Sequence, residues 1–368
     1  MRKKVEMAVL KFRKYEEKHP FMPIIITILC MLIIAGSVLG INKYQKYERY
    51  SSQTAVDFSD PVFKKEIQKI LQKENIYQSD LDMLSDLYIN GNTQLSDISD
   101  IEKCKNLTQV SITDCAIKEA GILGELNNIQ YVDLSNNSIA NIDGLEKSNT
   151  IKELKLGRNK ISDISKICEI ETLELLSVSN NNISIIPDDI KKLKNLKDLD
   201  ISGNRLIDIN GVVVLDNLEE LNASSNKLTD TPQLEELKQL TTLQLAGNAL
   251  KNYSPQSEMK NLIKLNLSSN YLDDLDFLDK YPSLIELTIS NNQYTSIDGI
   301  EKAQSLQTLD IRGTNIKDVS MLAGLPDFSA IYVNDFFDRT QLDFMIGNFK
   351  NADKLTKEYL IAQQYKLK

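Results

Sequence analysis

From Leu84 to about Leu325 the chain repeats one arrangement of apolar and polar positions. It reads apolar-x-x-apolar-x-apolar-x-x-Asn-x-apolar, as in Leu196-Leu199-Ile201-Asn204-Leu206 and Leu262-Leu265-Leu267-Asn270-Leu272. The polar beat falls on Asn137, Asn159, Asn181, Asn204, Asn226, Asn248, Asn270 and Asn292, 22 or 23 residues apart. Cys115 and Thr314 keep the step at the two ends, and Asn92 lies one repeat before Cys115. Before each beat the side chains alternate, as in Leu221-Asn222-Ala223, which is the period of a strand with one face inward. After it, apolar residues fall three apart: Ile142 and Leu145, Ile164 and Ile167, Ile297 and Ile300, Val319 and Leu322. That spacing predicts 3₁₀ turns or single helical turns in preference to long helices. The expected architecture is a solenoid of eleven similar coils, strands stacked in a parallel sheet on one side and short turns on the other.

Two sets of residues follow from the phase. The beat residues (Asn92, Cys115, Asn137, Asn159, Asn181, Asn204, Asn226, Asn248, Asn270, Asn292 and Thr314) form a structural ladder. There a buried side-chain amide is expected to bond backbone groups of its own and the next coil that the turn leaves unpaired. The outward strand positions form the concave face. Its central column runs from Tyr88 through Ser111, Asp133, Lys155, Ser177, Asp200, Asn222, Gln244, Asn266, Thr288 and Asp310 to Tyr332; a neighbouring column includes Asp86, Tyr131, Glu153, Leu175, Asp198, Glu220, Lys264 and Glu286. Interface hot spots favour Trp, Tyr and Arg. The candidate partner-binding residues are therefore Tyr88, Tyr131, Asp133, Lys155, Asp198, Asp200, Asp310, Arg312 and Tyr332. The aromatics lie towards the two ends, and the middle is small, polar and acidic. Each of these residues also has a plainer reading as a solvated strand position.

A solenoid needs its apolar ends covered. Over residues 57–83, Asp60-Pro61 gives a helix start, and Phe63, Ile67 and Ile70 recur at helical spacing, expected to pack on the first coil. Ser79-Asp80-Leu81-Asp82 starts a second short helix. A free amphipathic helix that binds a partner or membrane is the alternative. After Thr314 the pattern decays. Residues 328–368 are read as a degenerate last repeat (Phe328, Ile331, Val333, Phe336) and a helical C-terminal cap, with helical spacing over Gln341–Ile346 and 353–365. Phe336, Phe337, Phe344 and Phe349 would cover the last coil, or else form a small docking element.

Phe21 to Ile41 is a run of 21 uncharged, mostly apolar residues, long enough to cross a ~30 Å hydrocarbon layer. Seven Lys/Arg precede it, and Lys43, Lys46 and Arg49 follow. The bias orients the amino terminus inward and the repeats outward. The domain reading is a basic cytoplasmic segment at 1–20, a transmembrane signal anchor at 21–41, a polar stalk at 42–56, the N-terminal cap at 57–83 and the repeat array at 84–327. A cleaved signal peptide is the competing reading of the apolar run.

The net charge is −9, yet residues 1–20 carry about +4, so the rest holds about −13. An acidic body is a poor partner for nucleic acid and for anionic polymers. The sole histidine is His19, which excludes histidine-dependent catalysis in the repeats. Outward carboxylates on an open sheet do not make a general acid/base cleft. Asp273, Asp274, Asp276 and Asp279 lack the glycine and spacing of a calcium loop. No glycine-rich phosphate loop or Cys/His cluster occurs, so neither metal nor cofactor is expected. Cys104, Cys115 and Cys168 are read as free thiols, a Cys104–Cys115 bridge being the alternative.

The repeat phrase is the leucine-rich repeat signature. The Asp163-Ile164, Asp208-Ile209 and Asn141-Ile142 steps, the 22-residue length and the motif Phe58-Ser59-Asp60-Pro61 before a helix resemble the internalin-like class of bacterial leucine-rich repeats. That resemblance covers about residues 57–325. It implies an α/β right-handed solenoid that binds proteins through its concave face and performs no catalysis. The chain departs from the class in carrying no wall-sorting signal at its carboxyl end and few concave aromatics. Two functions are expected: a membrane-anchored extracellular module binding a protein partner, or a structural, scaffolding subunit of a cell-envelope complex contacting its partners through the stalk, anchor or C-terminal cap.

Overall fold

The computed structural model describes residues 54–333 and 339–348. The apolar run at 21–41, the stalk up to residue 53, Phe336, Phe337, Phe349 and the 353–365 segment lie outside them. Among the described residues no helix is long and apolar enough to cross a membrane.

Twelve strands form one parallel sheet in strict chain order. They are β1 (Asp86–Asn90), β2 (Gln109–Thr113), β3 (Tyr131–Asp133), β4 (Glu153–Lys155), β5 (Leu175–Ser177), β6 (Asp198–Asp200), β7 (Glu220–Asn222), β8 (Thr242–Gln244), β9 (Lys264–Asn266), β10 (Glu286–Thr288), β11 (Thr308–Asp310) and β12 (Ala330–Tyr332). The register follows the repeat: Tyr88 pairs with Ser111, Ser111 with Asp133, and so on to Asp310 with Tyr332. Both outward columns thus stand as the phase predicts. The twelfth strand adds a coil within the segment expected to be degenerate. It forms because Ile331 and Val333 still point inward and are buried, although the sequence has Phe336 in place of asparagine at the next ladder position.

The opposite side returns through short 3₁₀ turns such as Ser99–Lys103, Asp188–Lys192 and Ser320–Gly324. The apolar pairs three apart, Ile164 with Ile167 and Val319 with Leu322 among them, are buried there. One coil differs. Between β8 and β9 the return is irregular, and Tyr253, Phe277 and Tyr281 fill the space. Tyr253 stacks on Tyr281 with centroids 6.4 Å apart and their hydroxyls 2.5 Å apart, and it meets Phe277 edge-on at 5.2 Å.

The ladder carries the polar half of the core. Asn159 accepts from Ile139 N at 2.9 Å, and its amide donates to Leu134 O and Leu156 O, both at 3.0 Å. Asn181, Asn204, Asn226, Asn248, Asn270 and Asn292 repeat this set, as does Asn137. These bonds reach the preceding coil, not the next one as expected. The reason is that the Leu134 carbonyl and the Ile139 N–H of the previous coil, on either side of its turn, have no backbone partner among the described residues. The first asparagine has no coil before it, and Asn92 donates instead to Glu66 of the cap at 2.8 Å. At the ends Cys115 Sγ donates to Thr113 O and Thr314 Oγ1 to Ile311 O. The residue just before the ladder takes a left-handed conformation in coil after coil: Asp114, Asn136, Arg158, Asn180 and Ser225, with Gly203, Gly247 and Gly313 in the same place. That backbone turns the chain sharply inward after each strand.

The N-terminal cap is α1 (Pro61–Leu71) and α2 (Gln78–Leu81). Asp60 accepts from Phe63 N at 2.6 Å, with Pro61 in the first turn, as the sequence implies. Phe63 and Ile67 are fully buried, but Ile70 is 36% exposed. It sits in the last turn of α1, which ends in left-handed Gln72, while Ile76 and Leu81 beyond it are buried. Asp100 ties the cap to the first coils, accepting from Asp60 N at 2.9 Å, Ser59 Oγ at 3.2 Å and Lys103. At the other end α3 (Arg339–Asn348) turns Leu342 and Met345 inward and leaves Phe344 half-buried. Leu342 and Met345 are thus the buried residues of this helix, with Phe344 partly buried beside them. Cys104, Cys115 and Cys168 are free; burial pushes the Cys104 and Cys168 thiols up to about 12.

Candidate binding face on the concave sheet

Each strand offers two outward side chains, and stacking turns them into two continuous columns across the sheet. Tyr88 is 59% exposed, its hydroxyl donating to Gln109 Oε1 at 2.9 Å. Tyr332 is 42% exposed, with the Arg312 guanidinium 5.3 Å from its ring centre. Tyr131 is half-buried, and Lys155 Nζ stands 5.2 Å from its ring. The aromatic candidates are therefore split, two at the amino end and one at the carboxyl end, and the fold does not bring them together.

The three aspartates of the central column have a role that the sequence reading missed. Asp133 accepts from Ser135 N at 2.9 Å, Asp200 from Ser202 N at 3.0 Å and Asp310 from Arg312 N at 3.1 Å. Asn222 and Asn266 do the same for Ser224 and Ser268. An Asp or Asn at this point closes a turn onto the backbone two residues on, which starts the chain inward. The signal was present as Asp/Asn-x-Ser at four of these five positions, Asp310-Ile311-Arg312 being the exception. Asp310 goes further: it is buried beneath Arg312, which donates from Nε at 2.9 Å and Nη2 at 2.5 Å. It is an internal ion pair and not a free contact.

The centre is different. A shallow depression of about 330 Å³ lies over β4 to β8, lined by Lys155, Leu175, Asp198, Asp200, Glu220 and Gln244 among others. Asp198 and Glu220 are in register on adjacent strands. Partial burial, then Glu220 and Asp200, raise the Asp198 carboxyl from 3.8 to about 6, with Lys155 opposing. Asp200 accepts from Ser177 Oγ at 3.2 Å and Ser202 Oγ at 2.6 Å. A larger hollow of about 560 Å³ lies elsewhere, between the returns of the first coils. Its walls mix Lys118 and Lys147 with Asp97, Glu119 and Asp143, so it presents no single chemistry.

A family model for the leucine rich repeat matches residues 149–206, one for two copies of the repeat matches 216–255 and 260–302, and a third repeat model matches 302–323. Among curated proteins none matches the sequence. Of solved structures, an internalin (inlF) from Listeria monocytogenes is similar over 80% of this chain and 88% of its own, at 24% identity and a TM-score of 0.72. The functional domain of InlJ from the same organism, which includes a cysteine ladder, is similar over 77% and 72%, at 21% identity and 0.58. The plant peptide hormone receptor RGFR1 in complex with RGF2 is similar over 70% of this chain and 49% of its own, at 21% identity and 0.56.

Proposed function

We propose that this chain, a leucine-rich repeat protein with the internalin-like fold, binds a protein partner along its concave sheet and performs no catalysis. The observation that supports this best is the unbroken run of twelve strands whose outward side chains are left for contact while the inward ones form the core. Solenoids of this kind gain binding area by adding coils, so a long shallow face suits an extended surface more than a small molecule. The receptor in complex with RGF2 shows one such fold holding a peptide.

The repeats are held outside a cell membrane by residues 21–41. The apolar length and the basic flank of the preceding segment support that topology. The scaffolding reading has less support: Leu342 and Met345 of α3 turn inward to cover the last coil. Protease added to intact cells should remove the repeats and leave a short anchored stub; complete protection would refute the topology. Replacing Tyr88, Tyr131 and Tyr332 by Ala should weaken capture of the partner at least tenfold. Undiminished capture, with loss on substitution in α3, would favour the scaffold.

A further inference from the structure

The concave charges are unevenly satisfied. Towards the carboxyl end they are neutralised within the sheet: Lys264 pairs with Glu286 at 3.1 Å, and Arg312 covers Asp310. On the sheet margin Lys152 and Lys197 share Glu174, at 3.1 and 3.7 Å. Across the middle this stops. Asp198, Asp200 and Glu220 take part in no ion pair among the described residues, and neither do Asp133 and Glu153 beside them. The one cation at hand, Lys155, leans on the Tyr131 ring.

The uncompensated charge works against the fold. Asp198 and Glu220 stand in register one strand apart, about 4.8 Å by sheet geometry, where like charges repel. Asp200 needs no charge for its backbone bond, since Asn222 and Asn266 make the same bond uncharged. Half-buried Leu175 adjoins them, an apolar surface amid carboxylates. A Lys or Arg side chain fits that combination, with its methylene stem on Leu175 and its head among the acids.

We propose that the concave sheet from β3 to β7 is a docking track for a cationic segment of the partner polypeptide. This rests on the concave-face reading and adds the partner's chemistry to it. Association is steered by the negative face and weakens with salt.

The test uses the full chain and two labelled twelve-residue probes, one alternating Lys with Ser and one alternating Glu with Ser, read by fluorescence anisotropy. The Lys probe should bind at low salt and the Glu probe should not. Asp198→Asn with Glu220→Gln should weaken the Lys probe at least tenfold. Glu236→Gln with Glu258→Gln, an equal charge change away from the strands, should change it less than twofold. Both substitutions in the first pair relieve repulsion, so melting temperature should hold or rise, and loss of binding will not reflect unfolding. Equal weakening by the two pairs, or no binding of the Lys probe, overturns the cationic track. If the Lys probe ignores the first pair while Tyr88→Ala, Tyr131→Ala and Tyr332→Ala still reduce partner capture, the concave face binds and only the cationic inference falls.

Discussion

Asn181 reaches back one whole coil to Leu156, donating its amide to that carbonyl at 2.9 Å. It also donates to Val178 O at 3.0 Å and accepts from Ile161 N at 2.9 Å, so one side chain closes backbone groups of two coils. Asn181→Leu fills the space but leaves these groups buried and unpaired. It should destabilise by about 2–4 kcal/mol in urea denaturation. Asn92→Leu should cost less, since Asn92 is half-buried and its partner Glu66 belongs to the cap. Equal losses at both sites would show that reach to a preceding coil is unimportant.

Tyr294 occupies a core position that holds Leu250 and Leu272 in the coils before it, and its hydroxyl is buried with no hydrogen-bond partner. Tyr294→Phe removes an unsatisfied group and should leave stability unchanged or raise it by up to about 1 kcal/mol. Tyr253→Phe makes the opposite change, because it strips the Tyr281 hydroxyl of its partner. It should lower stability by about 1 kcal/mol. Thermal melts should therefore fall for Tyr253→Phe and hold or rise for Tyr294→Phe.

Gly121 and Gly124 let two returns meet almost backbone to backbone. A Cβ on Gly121 would overlap the carbonyl oxygen of Asp143, and one on Gly124 that of Gly144. Either change to Ala must push coils apart and should cost more than about 2 kcal/mol. Gly324→Ala meets nothing within 4 Å and should be tolerated. Denaturant midpoints of the three variants test this contrast.

Stability should depend on pH through Asp198. Its folded carboxyl is raised from 3.8 to about 6, so the folded state binds the proton more tightly than the unfolded chain. A raised carboxyl makes the fold less stable as pH rises through that window. Asp198→Asn should therefore stabilise at pH 7 by roughly 1 kcal/mol, after discounting for solvent screening, and give no gain below pH 4. Asp100 has the opposite sign. Burial tends to raise it, but Lys103, Asp60 N and Ser59 together hold it below its ordinary value. Its stabilisation is present above the ordinary value of 3.8 and is lost as pH falls through the lowered one. Unfolding followed from pH 3 to 8 in the parent and in Asp198→Asn separates the two effects.

The strand columns and convex turns were legible because an inward Leu or Ile at fixed phase leaves one choice of register, and Tyr88 to Tyr332 stand as read. Ladder direction was not legible, since a period carries no sign along the solenoid axis. The turn-closing role of Asp133, Asp200 and Asp310 was missed because it depends on the N–H two residues on, a local relation that a search for outward contact residues does not weigh. Ile70 has the same helical phase as Phe63 and Ile67, but phase does not say where the first coil stops. The tyrosine cluster around Tyr253 was missed because Phe277 and Tyr281 lie a full coil further along the chain.

The most direct test of the binding face is site-specific photocrosslinking on intact cells. A benzophenone side chain at Thr242 or Gln244, on the concave strand β8, is compared with one at Asp279, on the return. Adducts to the same polypeptide from Thr242 and Gln244, and none from Asp279, are the expected result. Adducts from Asp279 alone would contradict a concave binding face.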